Sequence, residues 1–295
     1  MKKNIILHLG IHKTATTYLQ HILQENDKLL ELSGMKAHTP PKLRELKYGH
    51  LLRSSLSDQA ALGEFTALNE SLIDGSPNRT IVISEENILG APRDFKKCKS
   101  LYSHADKLLC GLSKQVRGHN VKILICLRSL STFLPSIYCE YLRHNQDYLP
   151  FSDFYSDLNL KKASWFKLVE SIQKNFPGIE IVAWDFAILK KSGGLTQILE
   201  ELLPGVDPDD LSIANKVMRS GMTNKCVNLI HKVYNDLSTK EYKQMRRFLD
   251  WRMQWSSEDK FQPFSASQTA LLDHEHSSVL AEISKIKTNV RLISS

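Results

Sequence analysis

The chain contains no CxxC pair. Its five cysteines (Cys98, Cys110, Cys126, Cys139, Cys226) are odd in number, and their spacing matches neither a zinc site nor a disulfide framework. Reduced thiols in a reducing compartment are therefore expected. No stretch approaches the roughly 20 apolar residues of a membrane span. After Met1-Lys2-Lys3-Asn4, only Ile5-Ile6-Leu7-His8-Leu9 precedes Gly10. That run is too short for a signal-peptide core and has no small-residue cleavage site, so a cytoplasmic chain without a transmembrane segment is expected. No group of Asp, Glu or His has metal-ligand spacing, and no metal is expected. Internal repeats and low-complexity linkers are absent as well.

What is present is an ordinary globular mixture: 295 residues, 42% hydrophobic and 24% charged, with 13 Gly and 10 Pro. A chain of this size buries roughly three quarters of the surface its unfolded form exposes, so it needs no covalent staple. The formal net charge of +7 favours anionic partners such as nucleotides, acidic glycans or nucleic acid, without choosing among them.

Short apolar runs alternate with longer amphipathic segments. Residues 5–9, 80–84 (TIVIS), 121–127 (VKILICL) and 179–184 (IEIVAW) read as strands. The third is continuously apolar after Lys122, as strands covered on both faces are. Helical patterns begin near Thr14, where Ala15, Leu19, Ile22 and Leu23 share a face, and recur at 103–116, 131–143 and 164–174. This alternation predicts an α/β fold with a parallel sheet. Beyond Pro204 the strands stop, and 222–236, 239–254 and 266–286 read as helices. The expectation is one domain over 1–295, with an α/β core to about 204 and a helical extension over about 205–295. Residues 32–60 show no clear period. They read as loop and short helix, with His50 either lining a site or simply exposed.

The most informative stretch is His8-Leu9-Gly10-Ile11-His12-Lys13-Thr14-Ala15-Thr16-Thr17. A buried strand runs into Gly10, then Lys13, then small hydroxyl residues that open a helix. A helix N-terminus offers unpaired N–H groups and partial positive charge, which suits a phosphate. Small residues at 14–17 let an anion approach the backbone, the hydroxyls of Thr14, Thr16 and Thr17 add donors, and Lys13 adds a full charge. A Walker loop, G-x-x-x-x-G-K-[ST], is not matched, since His12 precedes Lys13 and Gly10 lies three residues before it. Arg128 follows the strand 121–127, and in open α/β sheets that end faces the ligand crevice, where a guanidinium holds phosphate with two hydrogen bonds. Glu85 and Glu86 follow the strand 80–84. They read either as acids favoured by a helix N-terminus or as a base facing the same crevice. His12 is a further proton carrier or a positioning residue. The basic stretch 240–252 (KEYKQMRRFLDWR) is interrupted by acids and reads as a solvated helix, so no nucleic acid is expected.

Taken together, the turn at Gly10, Lys13, Thr14, Thr16 and Thr17 resembles the 5′-phosphosulfate loop, G-x-x-K-[TS]-G-T-T, of sulfotransferases that use 3′-phosphoadenosine 5′-phosphosulfate (PAPS). Ala15 stands where that family usually has Gly, a departure that an ordinary right-handed conformation at a helix start accommodates. The resemblance extends to Arg128 and to Ser136 eight residues on, which it implies bind the 3′-phosphate. Leu130 stands where the family usually has Pro, and Pro135 marks a late helix start or a kink. The S-x-E spacing of Ser84 and Glu86 makes Glu86 the first choice for the base and Glu85 the second. Trp165, Trp184-Asp185 and Asn215 are weaker echoes. The resemblance implies a three-layer fold of the P-loop nucleotide-binding kind. It further implies PAPS as co-substrate, with 3′-phosphoadenosine 5′-phosphate (PAP) as product, and an unidentified acceptor hydroxyl or amine on a glycan, a lipid-linked sugar or a small molecule. The rival readings are a nucleotide kinase or ATPase, and a non-catalytic basic binding module.

Overall fold

Apolar residues on both sides of a strand require cover on both sides, and this decides the architecture. In the computed structural model, which describes residues 2–144, 148–160, 163–213, 221–252, 259–286 and 289–293, β1 (Asn4–His8) leads through a turn to α1 (Thr16–Glu25) and α2 (Asp27–Leu32). The chain continues through β2 (Met35–His38), α3 (Pro40–Glu45), α4 (Tyr48–Ser54), α5 (Gln59–Ile73) and β3 (Thr80–Ser84). Next come α6 (Ala105–Gln115), β4 (Asn120–Leu127), α7 (Leu130–His144), α8 (Phe151–Phe154), α9 (Trp165–Asn175), β5 (Glu180–Asp185) and α10 (Gly194–Leu202). It ends with α11 (Asn224–Val233), α12 (Thr239–Arg252), α13 (Ala266–Ser284) and β6 (Val290–Ile293).

The six strands form one sheet in the order β2-β3-β1-β4-β5-β6, and every pairing is parallel. Alternation along each strand splits the core in two. Ile5, Leu7, Ile81, Ile83, Ile123 and Ile125 pack with α4–α7, α9 and α13 on one face. Ile6, Val82, Leu124, Cys126, Val182 and Trp184 pack with α1 and α10 on the other. The result is a three-layer α/β arrangement, as the alternating pattern predicts. None of the five cysteines is in a disulfide. Among the described residues no helix is long and apolar enough to cross a membrane.

Both edges of the sheet depart from the sequence pattern. Strands do not stop at 204, because β6 pairs with β5 (Ile181↔Val290) and closes one edge of the sheet. Residues 35–38, read as loop, form β2 at the other edge. Both are four-residue edge strands, too short to display a period. The three C-terminal helices do form, and α13, started by a Ser265–Gln268 capping box, packs on α7, α9 and β6. Pro135 neither delays nor starts a helix but lies inside α7. It cannot donate to the Ser131 carbonyl, which Gln262 Nε2 approaches at 3.4 Å instead. Asn215 and residues 253–254 lie outside the described residues.

His8 ends β1 fully buried, with Nδ1 2.8 Å from Ser84 Oγ and its ring stacked on Trp184. Burial pushes its pKa down to about 4. Between pH 6.5 and 4 the unfolded chain binds a proton that native His8 refuses, so stability falls as pH drops through that window, by roughly 3 kcal/mol at its lower end. Urea midpoints at pH 7 and 4.5 should differ by clearly less in His8→Gln than in the wild type.

Candidate functional site

The turn after β1 is strained in a specific way. Gly10 has φ +90°, and a Cβ there would lie 3.0 Å from Glu86 Cβ, so both backbone conformation and space demand glycine. Lys13 (φ 62°) and Ala15 (φ 60°) are also left-handed, while the residues between and beside them are not. Each costs an L-residue about 1–2 kcal/mol. Ala15 therefore does not take the right-handed conformation that the sequence reading gave it. It is the left-handed N-cap of α1, a position where glycine carries no penalty.

Left-handed residues alternating with ordinary ones turn successive N–H groups into an anion-binding concavity. The N–H groups of Lys13, Thr14, Ala15, Thr16 and Thr17 find no acceptor among the described residues. The hydroxyls behave differently from expectation. Thr14 Oγ1 donates to the Ile11 carbonyl at 2.6 Å and Thr16 Oγ1 to the same oxygen at 3.1 Å. Thr14 is buried beneath the turn and does not reach the cleft, whereas Thr16 and Thr17 line it. The two buried hydroxyls brace the turn, and the backbone is what faces outward.

Arg128, at the end of β4, clamps this turn. Its guanidinium donates to the Lys13 carbonyl through Nη1 and to Thr132 Oγ1 through Nε (3.0 Å), and lies 4.6 Å from the Phe186 ring centroid. The indole of Trp165 fixes the Arg128 carbonyl at 2.7 Å, which gives the sequence echo at Trp165 a physical role. Burial brings the Arg128 pKa down to about 10, so the side chain remains charged at neutral pH. Ser136, two turns along α7, lines the same cleft. Lys13 Nζ lies 3.2 Å from Glu140 Oε2. Burial lowers the Lys13 pKa, against the opposing pull of Glu140. Sequence reasoning missed Glu140. It sits four residues after Ser136 on one face of α7, and that spacing was the available signal. Burial would raise its carboxyl, but the hydrogen bond from His144 and the charges of Lys13 and Arg143 hold it well below the usual range.

The end of β3 separates the two candidate acids. Glu85 is buried and caps the short 3₁₀ turn Glu86–Ile88, accepting from the Asn87 N–H and side-chain amide. Burial and the neighbouring Glu86 raise its pKa. Both acids line the cleft, but Glu86 has other partners, accepting from Gln20 Nε2 at 3.0 Å with Arg44 Nη2 at 3.4 Å. Burial opposes its charge, while the Gln20 hydrogen bond, a backbone N–H and the Arg44 guanidinium favour it, and its pKa lies below the usual carboxylate value. His12 is wedged between Tyr102, whose hydroxyl lies 2.8 Å from Nδ1, and Asn87 Oδ1, 3.3 Å from Nε2. Because the Asn87 amide nitrogen serves Glu85, its oxygen is left to accept from Nε2–H, and Nδ1 accepts from Tyr102. Burial keeps this ring neutral. The arrangement suits a positioning residue.

These elements surround one cleft of about 1330 Å³ across the carboxyl ends of the strands, the usual ligand crevice of an open α/β sheet. His50 stands exposed at its rim. No family model and no curated protein matches the chain.

The strain at Ala15 is testable. Ala15→Gly should raise stability by about 0.5–1 kcal/mol in urea unfolding, although the same change inside a helix costs a similar amount.

Proposed function

We propose that the chain transfers a sulfuryl group from PAPS to an acceptor hydroxyl or amine, giving PAP. The observation that carries this reading is the row of five N–H groups, 13–17, without an acceptor among the described residues, in a turn whose Lys13, Ala15, Thr16 and Thr17 line a cleft shared with Arg128, Ser136 and Glu86. A 5′-phosphosulfate fits a concavity of N–H donors at a helix N-terminus. A 3′-phosphate fits Arg128 and Ser136, which stand past the end of β4 on the other side of the turn from Glu86. A strand, a phosphate-binding turn and a helix in the middle of a parallel sheet also fit the P-loop-like plan.

In this reading the acceptor oxygen or nitrogen attacks sulfur and forms the new S–O or S–N bond. The S–O bond to the 5′-phosphate breaks, and its electron pair stays on the phosphate oxygen. Glu86, ionised beforehand, takes the acceptor's proton. The N–H groups of 13–17 and Lys13 stabilise the charge that grows on the leaving phosphate. Lys13 is tethered to Glu140 at 3.2 Å, so it must exchange that carboxylate for the incoming anion.

Lys13→Ala should lower turnover by about 10²-fold or more while the chain still folds, since it removes a transition-state contact at a cleft. Wild-type turnover in that variant would take Lys13 out of the mechanism. Glu86→Gln should bind PAP normally and transfer poorly, with Glu85→Gln affecting transfer less. EDTA should leave the reaction intact, and a strict Mg²⁺ requirement would favour a nucleotide kinase.

PAP should bind about 10- to 150-fold more tightly than AMP, the worth of a charged bidentate contact. Because Arg128 also clamps the Lys13 carbonyl, Arg128→Ala should weaken both nucleotides. Ser136→Ala is the cleaner probe and should narrow the preference for PAP alone. Calorimetric titration measures each affinity, and equal binding of PAP and AMP by the wild type would refute sulfuryl transfer.

A further inference from the structure

The cleft has two ends with different chemistry. β1 is central, and the side beyond β4 and β5 carries Arg128, Ser136 and Phe186. The opposite side, beyond β3, is walled by α3, α4 and the 3₁₀ turn Pro92–Phe95. That wall contributes Arg44, Lys47, Arg53 and Arg93. At about 1330 Å³ the cleft exceeds the 300–1,000 Å³ usual for one small ligand, so a second molecule has room beside the nucleotide.

These four cations are poorly neutralised. Lys47 opens α4 in the left-handed conformation (φ 54°), and its ammonium makes no hydrogen bond or ion pair among the described residues. Arg93 is 70% exposed and, among the described residues, reaches Asp94 at 4.0 Å. Arg53 donates to the Asn87 carbonyl at 3.4 Å rather than to an acid. Arg44 touches Glu86 at 3.4 Å, the same carboxylate that the proposed chemistry uses as base. Four like charges on one concave wall repel one another and raise the local concentration of anions. Burial lowers the Arg53 pKa, Asp94 opposes that shift, and Arg93 adds to it as a like charge.

We propose that this arm receives an acceptor with fixed negative charge, a carboxylate or sulfate set beside its nucleophilic hydroxyl, as in an acidic saccharide. The inference rests on the sulfuryl-transfer reading of the same cleft. Glu86 stands at the junction between the arm and the turn. A hydroxyl held at Glu86 therefore leaves a neighbouring anionic group against Arg44 and Lys47. An amine acceptor would have to bring its own cation into four others. Nucleic acid lacks its usual stacking platform here, because the ring that α4 contributes, Tyr48, is fully buried.

The test titrates a short uronate oligosaccharide and a neutral oligosaccharide of equal length into the full chain with PAP present, at low and at physiological salt. The acidic sugar should bind about 10-fold more tightly, the effect of a few exposed charge pairs, and the gap should shrink with salt. The triple variant Arg44→Gln/Lys47→Gln/Arg93→Gln alters exposed side chains, so it should keep its fold and its PAP affinity while losing the gap. Equal binding of both sugars, an undiminished gap in the variant, or tighter binding of a thymidine oligonucleotide would overturn the inference. The PAP-over-AMP preference, read in the same instrument, separates the two failures. A missing gap with that preference intact sinks only the acidic acceptor, whereas a missing preference sinks the sulfuryl-transfer reading.

Discussion

Two left-handed residues in a three-residue span, Lys13 and Ala15, are the constraint around which the rest of the site is arranged. Neither conformation is favourable for an L-residue, and strain of this kind persists only where the surroundings over-determine it. Here the surroundings are specific. Gly10 gives up its Cβ to let Glu86 pass, the hydroxyls of Thr14 and Thr16 hold the Ile11 carbonyl, and Arg128 holds the carbonyl of Lys13. These bonds engage the Ile11 and Lys13 carbonyls, while the N–H groups of 13–17 have no acceptor among the described residues. Backbone geometry thereby becomes an electrostatic property, which acts at a concave surface.

Charge in the cleft is organised by the sheet. Strand order sets β3 and β4 on either side of β1, so the side chains leaving these strand ends stand to the left and right of the turn. The register matters as well. His8 of β1 pairs with Leu124, which leaves three more residues of β4 before Arg128 and lifts its guanidinium to the level of the turn. On the other side β3 ends level with β1 (His8↔Ser84), so Glu85 and Glu86 follow at once. The alternation of side-chain direction then assigns them different work. Both reach the cleft, but Glu85 is held by the N–H and amide of Asn87, whereas Glu86 accepts from Gln20 and Arg44.

Lys13, Glu140, Arg143 and His144 form a network that couples the turn to α7. A partly buried cation without a counter-ion is costly, and Glu140 supplies one. The Lys13 side chain is therefore oriented in the resting protein by the same attraction that a phosphate would exert.

Much of this was legible in the sequence. The apolar runs at 5–9, 80–84, 121–127 and 179–184 marked four strands, the continuously apolar 121–127 marked cover on both faces, and alternation with helical segments marked a parallel sheet. The Gly10–Thr17 turn announced itself by residue type, and Arg128 by its place after a strand. Edge strands β2 and β6 were not legible, because four residues carry no period and their pairing partners lie far away in the chain. Nor could residue type reveal that Ala15 is left-handed, that the threonine hydroxyls turn inward, or that Glu140 meets Lys13 across 127 residues of sequence. Those facts depend on which atoms compete for the same hydrogen bonds once the chain has closed. The sequence by itself marked the four inner strands, their parallel arrangement and the glycine turn that leads from β1 into α1. Only the tertiary structure decided which donors stay free and which carboxylate faces them, since each is settled by contacts between segments that are remote along the chain.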